Sequence, residues 1–373
     1  MPAPDLPEAL LAPAVDFTAE ADLGDLIYWV VNVGDGDCQL LALPALGDGR
    51  RPLMVVDVIK ATKLNRLVAD LAAAGVVADP ATFDLVVATH PHEDHIGGMA
   101  TFLKTHRAQV KELWDPGYWH TSGSFHSMMQ AVEDQGIDYL QPSSGTSKWI
   151  GKVRITALAP GVSLRNRFDS YGIEINDSSI VLKVEFPAAR VIERDEEERL
   201  PVELPTRTTL ILGADAQTTS WSQVLVDFPQ LGPEKTAVTE VLKAARGNEP
   251  LDAEILKVPH HASKHGVNLE LVEQIAPALS IVSCGRELGK YNFPHLVAQE
   301  IMREAREAIA GSQDKERSSD DKLGIHYTGS NLDSGDPAGS VGVIVAPSGS
   351  RKLYRFGDND DENVSLTNAR RVG

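Results

Sequence analysis

The stretch from residue 84 to residue 98 constrains the fold of this chain more than any other part. Residues 84–89, Asp-Leu-Val-Val-Ala-Thr, form an apolar run with the β-branched content of a buried strand. The residues that follow are His-Pro-His-Glu-Asp-His, and a glycine pair occupies positions 97 and 98. Glycine lets the backbone turn closely into a helix. The sequence therefore predicts a polar loop between a strand and a helix.

This loop carries side chains of the types that bind metals. Imidazole and carboxylate are the ligands that zinc, manganese or iron use in proteins. The HxHxDH spacing lets one loop face two ions by dividing its side chains between them. An isolated histidine is usually a core or surface residue, whereas this spacing after a strand is typical of a metal site. We expect one or two divalent ions, Zn or Mn, with ligands from His90, His92, Asp94 and His95.

Apolar runs and amphipathic stripes alternate along the rest of the chain, which indicates a mixed α and β fold. Apolar residues at i, i+3, i+4 and i+7 predict a helix from Leu64 to Leu71 that Gly75 ends. Further helices are predicted over 98–106, 124–135, 268–276 and 296–310. Strands are predicted over 26–33, 38–43, 53–58, 84–89, 153–158, 180–186, 208–212, 255–258, 279–283, 342–345 and 352–355.

The chain shows no composition shift that would divide it. We expect an irregular, proline-containing arm over 1–24 and a single domain over 25–373. Two charged segments, 187–207 and 311–322, are predicted to be insertions, the first of them a long hairpin.

Charge and cysteine content limit the partners and the compartment. The 373 residues carry 35 Lys+Arg and 53 Asp+Glu, a net charge of −18, which speaks against a sequence-reading DNA binder. Two cysteines outside any CxxC pattern favour the reducing cytoplasm. No basic residue precedes Arg50, and no apolar run approaches the ~20 residues that span a bilayer. We therefore expect a cytoplasmic protein without membrane contact.

Several motifs in order along the chain resemble the metallo-β-lactamase superfamily, whose signature is the HxHxDH loop. They are most similar to the branch that includes the hydrolase domain of ComEC-like competence proteins. The similarity covers about residues 26–348. The motifs are Val-Gly-Asp-Gly-Asp at 33–37, Asn-Asp-Ser-Ser-Ile-Val-Leu at 176–182, Leu-Gly-Ala-Asp at 212–215, Leu-Lys-Val-Pro-His-His-Ala-Ser at 256–263 and Asn-Phe-Pro-His at 292–295.

The resemblance implies a four-layer αββα sandwich with the metal loops at one edge. It assigns His90 and His92 to a first metal and Asp94, His95 and His260 to a second, with Asp215 bridging both. A carboxylate between two cations offsets their repulsion, and a hydroxide shared by two metals is a nucleophile near neutral pH.

One ligand expected from the superfamily is missing. Many members add a histidine to the first metal between the HxHxDH loop and the bridging aspartate, but residues 140–259 contain none. His120 and His126 are candidates if their loop folds over the cleft. We favour a first metal completed by water or substrate, so that one or two ions bind.

Three residues are candidates for roles in catalysis: Asp94, His261 and His295. His260 is favoured over its neighbour His261 as the ligand, which leaves His261 to face the substrate or a supporting carbonyl. His295 either stabilises a leaving oxygen or is a solvent-facing residue at a helix start. In the early turn, Asp35 and Asp37 either support the metal loop from behind or only build the turn.

The function implied is metal-dependent hydrolysis of a phosphodiester, as in a nuclease or nucleotide phosphodiesterase. The substrate is then a small phosphodiester or nucleic-acid fragment. Hydrolysis of a lactam, lactone or thioester is the first alternative, and a metal-stabilised interaction module without activity is the second; no protein partner is indicated. Basic groups such as Lys264 and Arg286 at the metals favour phosphate, whereas an apolar wall of Trp114, Trp119 and Phe125 favours a neutral acyl substrate.

Overall fold

Two large β-sheets packed face to face form the centre of the protein. The computed structural model describes residues 12–167, 174–188, 190–194, 198–202, 208–228, 251–285, 291–310, 319–329 and 339–372. The strands are β1 (Ala14–Val15), β2 (Leu26–Val30), β3 (Cys38–Ala42), β4 (Leu53–Val58), β5 (Phe83–Val87), β6 (Glu112–Trp114), β7 (Asp138–Leu140), β8 (Ser147–Ile150), β9 (Val153–Ala159), β10 (Val181–Phe186), β11 (Arg190–Arg194), β12 (Glu198–Val202), β13 (Thr208–Leu212), β14 (Ile255–Lys257), β15 (Leu279–Val282), β16 (Ile325–Tyr327), β17 (Val341–Val345), β18 (Arg351–Arg355) and β19 (Ala369–Val372).

Helices cover the outer faces of both sheets. The α-helices are α1 (Ala61–Ala73), α2 (Glu93–Ile96), α3 (Met99–Thr105), α4 (Gly123–Gln135), α5 (Val162–Arg167), α6 (Thr218–Asp227), α7 (Leu269–Ile275) and α8 (Leu296–Ala310). Short 3-10 turns lie at Phe17–Glu20, Ile175–Ser178, Pro259–Ala262 and Leu366–Asn368.

The first sheet has ten strands in the order β1-β19-β18-β17-β2-β3-β4-β5-β6-β7. The second has seven, in the order β16-β15-β14-β13-β10-β9-β8. Strands β4 to β7 run parallel to one another, as do β13 to β16, and the other neighbours are antiparallel. Parallel neighbours end at the same edge of their sheet, so the loops after β5, β13 and β14 can meet.

Three apolar cores separate four layers. All five side chains of β2 are buried because its two faces are both covered: Ile27 and Trp29 belong to the core under α1, α3 and α4, while Leu26, Tyr28 and Val30 belong to the core between the sheets. A third core joins the second sheet to α6, α7 and α8. The αββα sandwich expected from the sequence is confirmed. Within the described ranges, no helix has the length and apolar composition to cross a bilayer.

The N-terminal segment differs from the irregular arm expected over 1–24. Residues 1–11 lie outside the described part, but β1 pairs with β19 and extends the first sheet. Phe17 is fully buried, with its ring 5.3 Å from that of Trp29 and 5.0 Å from that of Tyr354. The buried ring anchors this segment against the first sheet. The sequence alone did not reveal that β1 has a partner strand.

The two charged insertions have different outcomes. In the first, 187–207, β11 and β12 pair as an antiparallel hairpin outside both large sheets, as expected. Of the second, 311–322, residues 311–318 lie outside the described part. Asp320 is buried rather than solvated, because its carboxylate binds the guanidinium of Arg303 on α8 at 2.6 Å and 3.0 Å.

Candidate metal centre

Loops from both sheets converge on the carboxylate of Asp215, which follows β13. Its Oδ1 lies 3.3 Å from Nε2 of His95 and 3.6 Å from Nε2 of His261. Its Oδ2 lies 3.8 Å from Nε2 of His90 and 3.7 Å from Nε2 of His260. Each carboxylate oxygen therefore faces two imidazoles of its own, which is the arrangement expected of a ligand shared by two cations.

Three residues lie near Oδ1 of Asp215: Asp94, His95 and His261. Nε2 of His261 lies 3.9 Å from Oδ2 of Asp94, and ligand atoms of these three residues all lie within 4.8 Å of one another. The expectation that His260 joins Asp94 and His95 is wrong in this structure, where His261 takes that position. Residues 260 and 261 both have left-handed backbone, with φ of 47° and 52°, and their side chains reach different oxygens of Asp215.

Three other residues lie on the side of Asp215 that Oδ2 faces: His90, His92 and His260. Nε2 of His90 lies 3.1 Å from Nδ1 of His92. His260 supplies the third imidazole here, because its Nε2 faces Oδ2 of Asp215 and lies 3.3 Å from Nδ2 of Asn176. The place of the histidine missing between residues 140 and 259 is thus occupied from the second sheet.

The other two histidines considered for this side lie farther from it. The ring of His120 is 6.3 Å from that of His92. His126 is exposed on α4 and contacts the ring of Trp119.

The donor atoms at the centre fit a divalent cation. Nε2 of His95, Nε2 of His261 and Oδ1 of Asp215 are buried, and among the described residues none of them has a hydrogen-bond partner in suitable geometry. Buried polar atoms in folded proteins almost always have partners, so three unpartnered atoms that converge call for a ligand. Imidazole nitrogen and carboxylate oxygen are the donors that zinc and manganese accept.

The protonation of these groups follows from burial and from their neighbours. Burial is the main cause that lowers the pKa of His90 well below its ordinary value, which keeps this imidazole neutral and able to bind a cation. Burial also opposes charge on His95, but the carboxylates of Asp215 and Asp57 outweigh it and raise the pKa of His95. Conversely, His95 and His261 hold the pKa of the buried Asp215 well below its usual range.

A second set of contacts orients the ligand rings. Asp57, in β4, accepts hydrogen bonds from the Thr89 backbone N–H at 2.8 Å and the Thr89 hydroxyl at 2.7 Å, and its Oδ2 lies 2.7 Å from Nδ1 of His95. Nδ1 of His261 lies 3.0 Å from the carbonyl oxygen of Ser283, to which it donates. Both rings therefore keep a proton on Nδ1 and present Nε2 to the centre. Sequence reasoning missed Asp57, whose one signal is a carboxylate inside an apolar run.

The early turn supports the metal loop from behind. The backbone N–H of Asp37 donates to the carbonyl oxygen of Asp94 at 3.0 Å. Gly36 has a φ of 138°, and a Cβ there would lie 2.5 Å from the same carbonyl oxygen. Glycine is thus required for this approach of the two backbones. Of the two aspartates considered for this role, Asp37 supports the loop through its backbone N–H.

The remaining predicted residues lie around the centre. His295 is half-buried and accepts a hydrogen bond on Nδ1 from the backbone N–H of Lys264 at 2.9 Å, so it stands beside the ligands rather than among them. Its catalytic role stays a prediction. Lys264 is exposed, and Arg286 lies outside the described residues. Of the proposed apolar wall, Trp114 and Phe125 are buried and Trp119 alone is exposed.

Comparison with known proteins finds a family and a few distant relatives. A family model described as the metallo-beta-lactamase superfamily matches residues 61–165. ComE operon protein 3 of Bacillus subtilis is 23% identical over 220 residues, which are 59% of this chain and 22% of that protein. The chain thus spans about a fifth of this curated relative.

Structural likenesses are weak. The metallo-beta-lactamase fold protein YhfI from Bacillus subtilis is 11% identical with a TM-score of 0.37, covering 76% of this chain and 93% of that one. A diphosphatase from the PhnP family is 10% identical with a TM-score of 0.34, covering 86% and 98%. The similarity to the superfamily therefore rests on the matched segment and on the HxHxDH loop that it contains.

The matched segment begins at the first residue of α1 and ends within α5, so it includes β5 and the whole loop with His90, His92, Asp94 and His95. Over this segment the chain is similar to the metallo-beta-lactamase superfamily.

Proposed function

We propose that this chain is a metal-dependent hydrolase of phosphodiesters, in which the residues on the two sides of Asp215 would hold two divalent ions, Zn or Mn. The observation that carries the proposal is that the two oxygens of Asp215 face separate pairs of imidazoles. His90, His92 and His260 would hold the first ion, and Asp94, His95 and His261 would hold the second.

The residues around the ions have separate tasks. Bound divalent ions supply a hydroxide near neutral pH and offset charge on a phosphoryl group. Asp57 and the Ser283 carbonyl keep the His95 and His261 rings in one orientation. The Asp94 side chain is 27% exposed, which places its carboxylate between the ligands and the solvent. We therefore propose that the Asp94 carboxylate, besides holding an ion, orients the attacking water.

The surroundings of the centre favour phosphate over a neutral acyl group. Lys264 and His265 are exposed beside His295, and after burial their charges are the causes that lower the pKa of His295. An apolar wall is not assembled, because Trp114 and Phe125 are buried in the cores. The resemblance to ComEC-like hydrolase domains implies nuclease chemistry. At a net charge of −18, a small phosphodiester or nucleic-acid fragment is the preferred substrate.

A lactam, lactone or thioester is the second candidate substrate class, since the same hydroxide can attack a carbonyl carbon. The exposed ring of Trp119 is the observation that favours it. A metal-stabilised module without activity is the third. We propose the cytoplasm as the compartment, supported by two cysteines, Cys38 and Cys284, that are buried and unpaired.

The decisive experiment combines elemental analysis with turnover. Purified protein is loaded with Zn²⁺ or Mn²⁺ and tested on bis-(p-nitrophenyl) phosphate, nitrocefin and a simple lactone. We expect two ions per chain and turnover of the phosphodiester, which D94A and H260A abolish while the circular dichroism spectrum is unchanged. Faster turnover of nitrocefin or lactone would indicate a lactam or lactone as the substrate class in place of a phosphodiester. Bound metal without any turnover would support the non-enzymatic module.

A further inference from the structure

A line of aromatic rings runs from the metal centre to the protein surface. The ring of Phe293, just before α8, lies 5.3 Å from that of His260 and 5.7 Å from that of His261. Tyr291 continues the line outward, with its ring 5.9 Å from Phe293 at an interplanar angle of 31°. Phe293 and His261 have the same angle, 31°. Tyr291 is 47% exposed, so part of its ring is accessible for stacking by a planar group.

A second exposed ring, Trp119, lies near the other histidine pair. It belongs to the loop between β6 and α4 and is 71% exposed. The ring of His126 meets it edge-on at 4.9 Å and 86°, which supports one side of the indole and leaves most of it in solvent. The next residue, His120, has its ring 6.3 Å from that of His92. Trp119 is therefore one residue away from a histidine whose ring approaches that of His92.

We propose that Tyr291 and Trp119 are stacking platforms for the nucleobases of a single-stranded nucleotide substrate, an inference that rests on the phosphodiesterase function proposed above. Aromatic side chains bind unpaired bases by stacking, and every base offers a planar face. In a duplex these faces are covered by neighbouring bases, so exposed rings beside a cleavage site select single strands.

The charge of the protein supports stacking as the source of affinity. Nucleic-acid binders normally gain most of their affinity from cationic contacts with phosphates. A chain with a net charge of −18 has little of this attraction at long range. Stacking on aromatic rings can hold bases without a basic groove. The substrate is thus a short oligonucleotide or a dinucleotide.

The test compares two substrates that release the same nitrophenolate. Thymidine 5′-(p-nitrophenyl phosphate) carries a base, and methyl p-nitrophenyl phosphate does not. For the wild-type protein we expect a lower KM for the nucleotide. Y291A and W119A should raise the KM for the nucleotide by about 5-fold to 100-fold, the range of one base–aromatic stack. In both variants kcat/KM for the methyl ester should fall much less than kcat/KM for the nucleotide, because the methyl ester has no base to stack. Y291F should keep the wild-type KM.

The controls separate a stacking role from a structural one. Trp149 in β8 is a surface tryptophan 37% exposed, so W149A removes a comparable ring elsewhere and should leave both substrates unaffected. An unchanged nucleotide KM in both Y291A and W119A would overturn the proposal. Equal losses on the two substrates would also overturn it, because the rings would then only support the centre.

A failure of the phosphodiesterase function has a distinct signature. In that case the wild-type protein cleaves neither substrate, and the platforms are judged by equilibrium binding of a labelled short oligothymidylate to the metal-loaded protein. Weaker binding by Y291A and W119A than by W149A would still support base stacking. Equal binding by all three variants, or no binding by the wild type, would contradict the base-stacking proposal.

Discussion

Lys257, the last residue of β14, and Asp37, the residue before β3, form an ion pair in which neither side chain is exposed. The pair links the two sheets beside the candidate metal centre. His261 lies four residues beyond Lys257, and the backbone of Asp37 binds the carbonyl oxygen of Asp94. Burial opposes charge on Asp37, but Lys257 outweighs it and lowers the pKa of this carboxyl. The pair thus ties one metal-binding loop to the other.

Replacement of the Lys257 ammonium group by an uncharged side chain should greatly reduce the stability of the protein. K257M leaves the Asp37 carboxylate buried without its partner, which typically lowers the free energy of unfolding by about 3–5 kcal/mol. Urea denaturation of the metal-free protein measures this loss. The double variant K257M/D37N, which has no buried charge at this place, should be more stable than K257M alone. Losses that simply add would show that the two side chains are not coupled.

Each histidine of the 260–261 pair should be required for a different ion. Since His260 faces Oδ2 of Asp215 and His261 faces Oδ1, H260A and H261A should each retain about one ion per chain where the wild type retains two. The double variant should retain none. Metal content after gel filtration gives the count, and anomalous diffraction gives the position of the ion that stays. If both single variants kept the same ion, the division of ligands between the two oxygens would be wrong.

The sequence predicted that the HxHxDH side chains lie together because all of them belong to one loop whose spacing is visible; that they bind metal stays a prediction. It could not predict which oxygen of Asp215 each of His260 and His261 faces, since that depends on the left-handed backbone at both residues. The long strands were predicted from apolar runs, whereas β6 and β7 have only three residues each and leave too short a pattern. Asp57 was missed because it stands within a strand, and its partner His95 is 38 residues away.

Replacement of Asp57 should weaken metal binding without changing the fold. In D57N the amide can donate to Nδ1 of His95, which moves the imidazole proton to Nε2 and blocks the atom that faces Asp215. We expect metal affinity to fall by about 10-fold to 100-fold, as measured by competition with a chromophoric chelator. D70N, on the partly exposed side of α1, is the matched control and should bind metal like the wild type. An unchanged affinity in D57N would show that this carboxylate does not orient the ligand.

A buried carboxyl away from the metal ligands should make stability depend on pH. Asp115, directly after β6, accepts hydrogen bonds on Oδ1 from the Tyr139 hydroxyl and the Gly117 N–H, both at 2.8 Å. Burial nevertheless raises its pKa to about 6. Because the folded state holds the proton more tightly than the unfolded chain, stability should fall as pH rises from about 4 to about 6 and then stay level. A shift of about two units corresponds to about 3 kcal/mol.

D115N removes this titration and keeps an acceptor oxygen for both donors. The difference in unfolding free energy between D115N and the wild type should therefore move in favour of D115N by about 3 kcal/mol from about pH 4 to about pH 8. Urea denaturation of metal-free proteins at several pH values measures it, and other titrating groups cancel in the difference. Y139F removes the hydroxyl donor, which leaves the carboxylate with fewer partners, so in that variant the fall should extend to higher pH. A difference between D115N and the wild type that does not vary with pH would mean that Asp115 is already ionised in the folded protein at acidic pH.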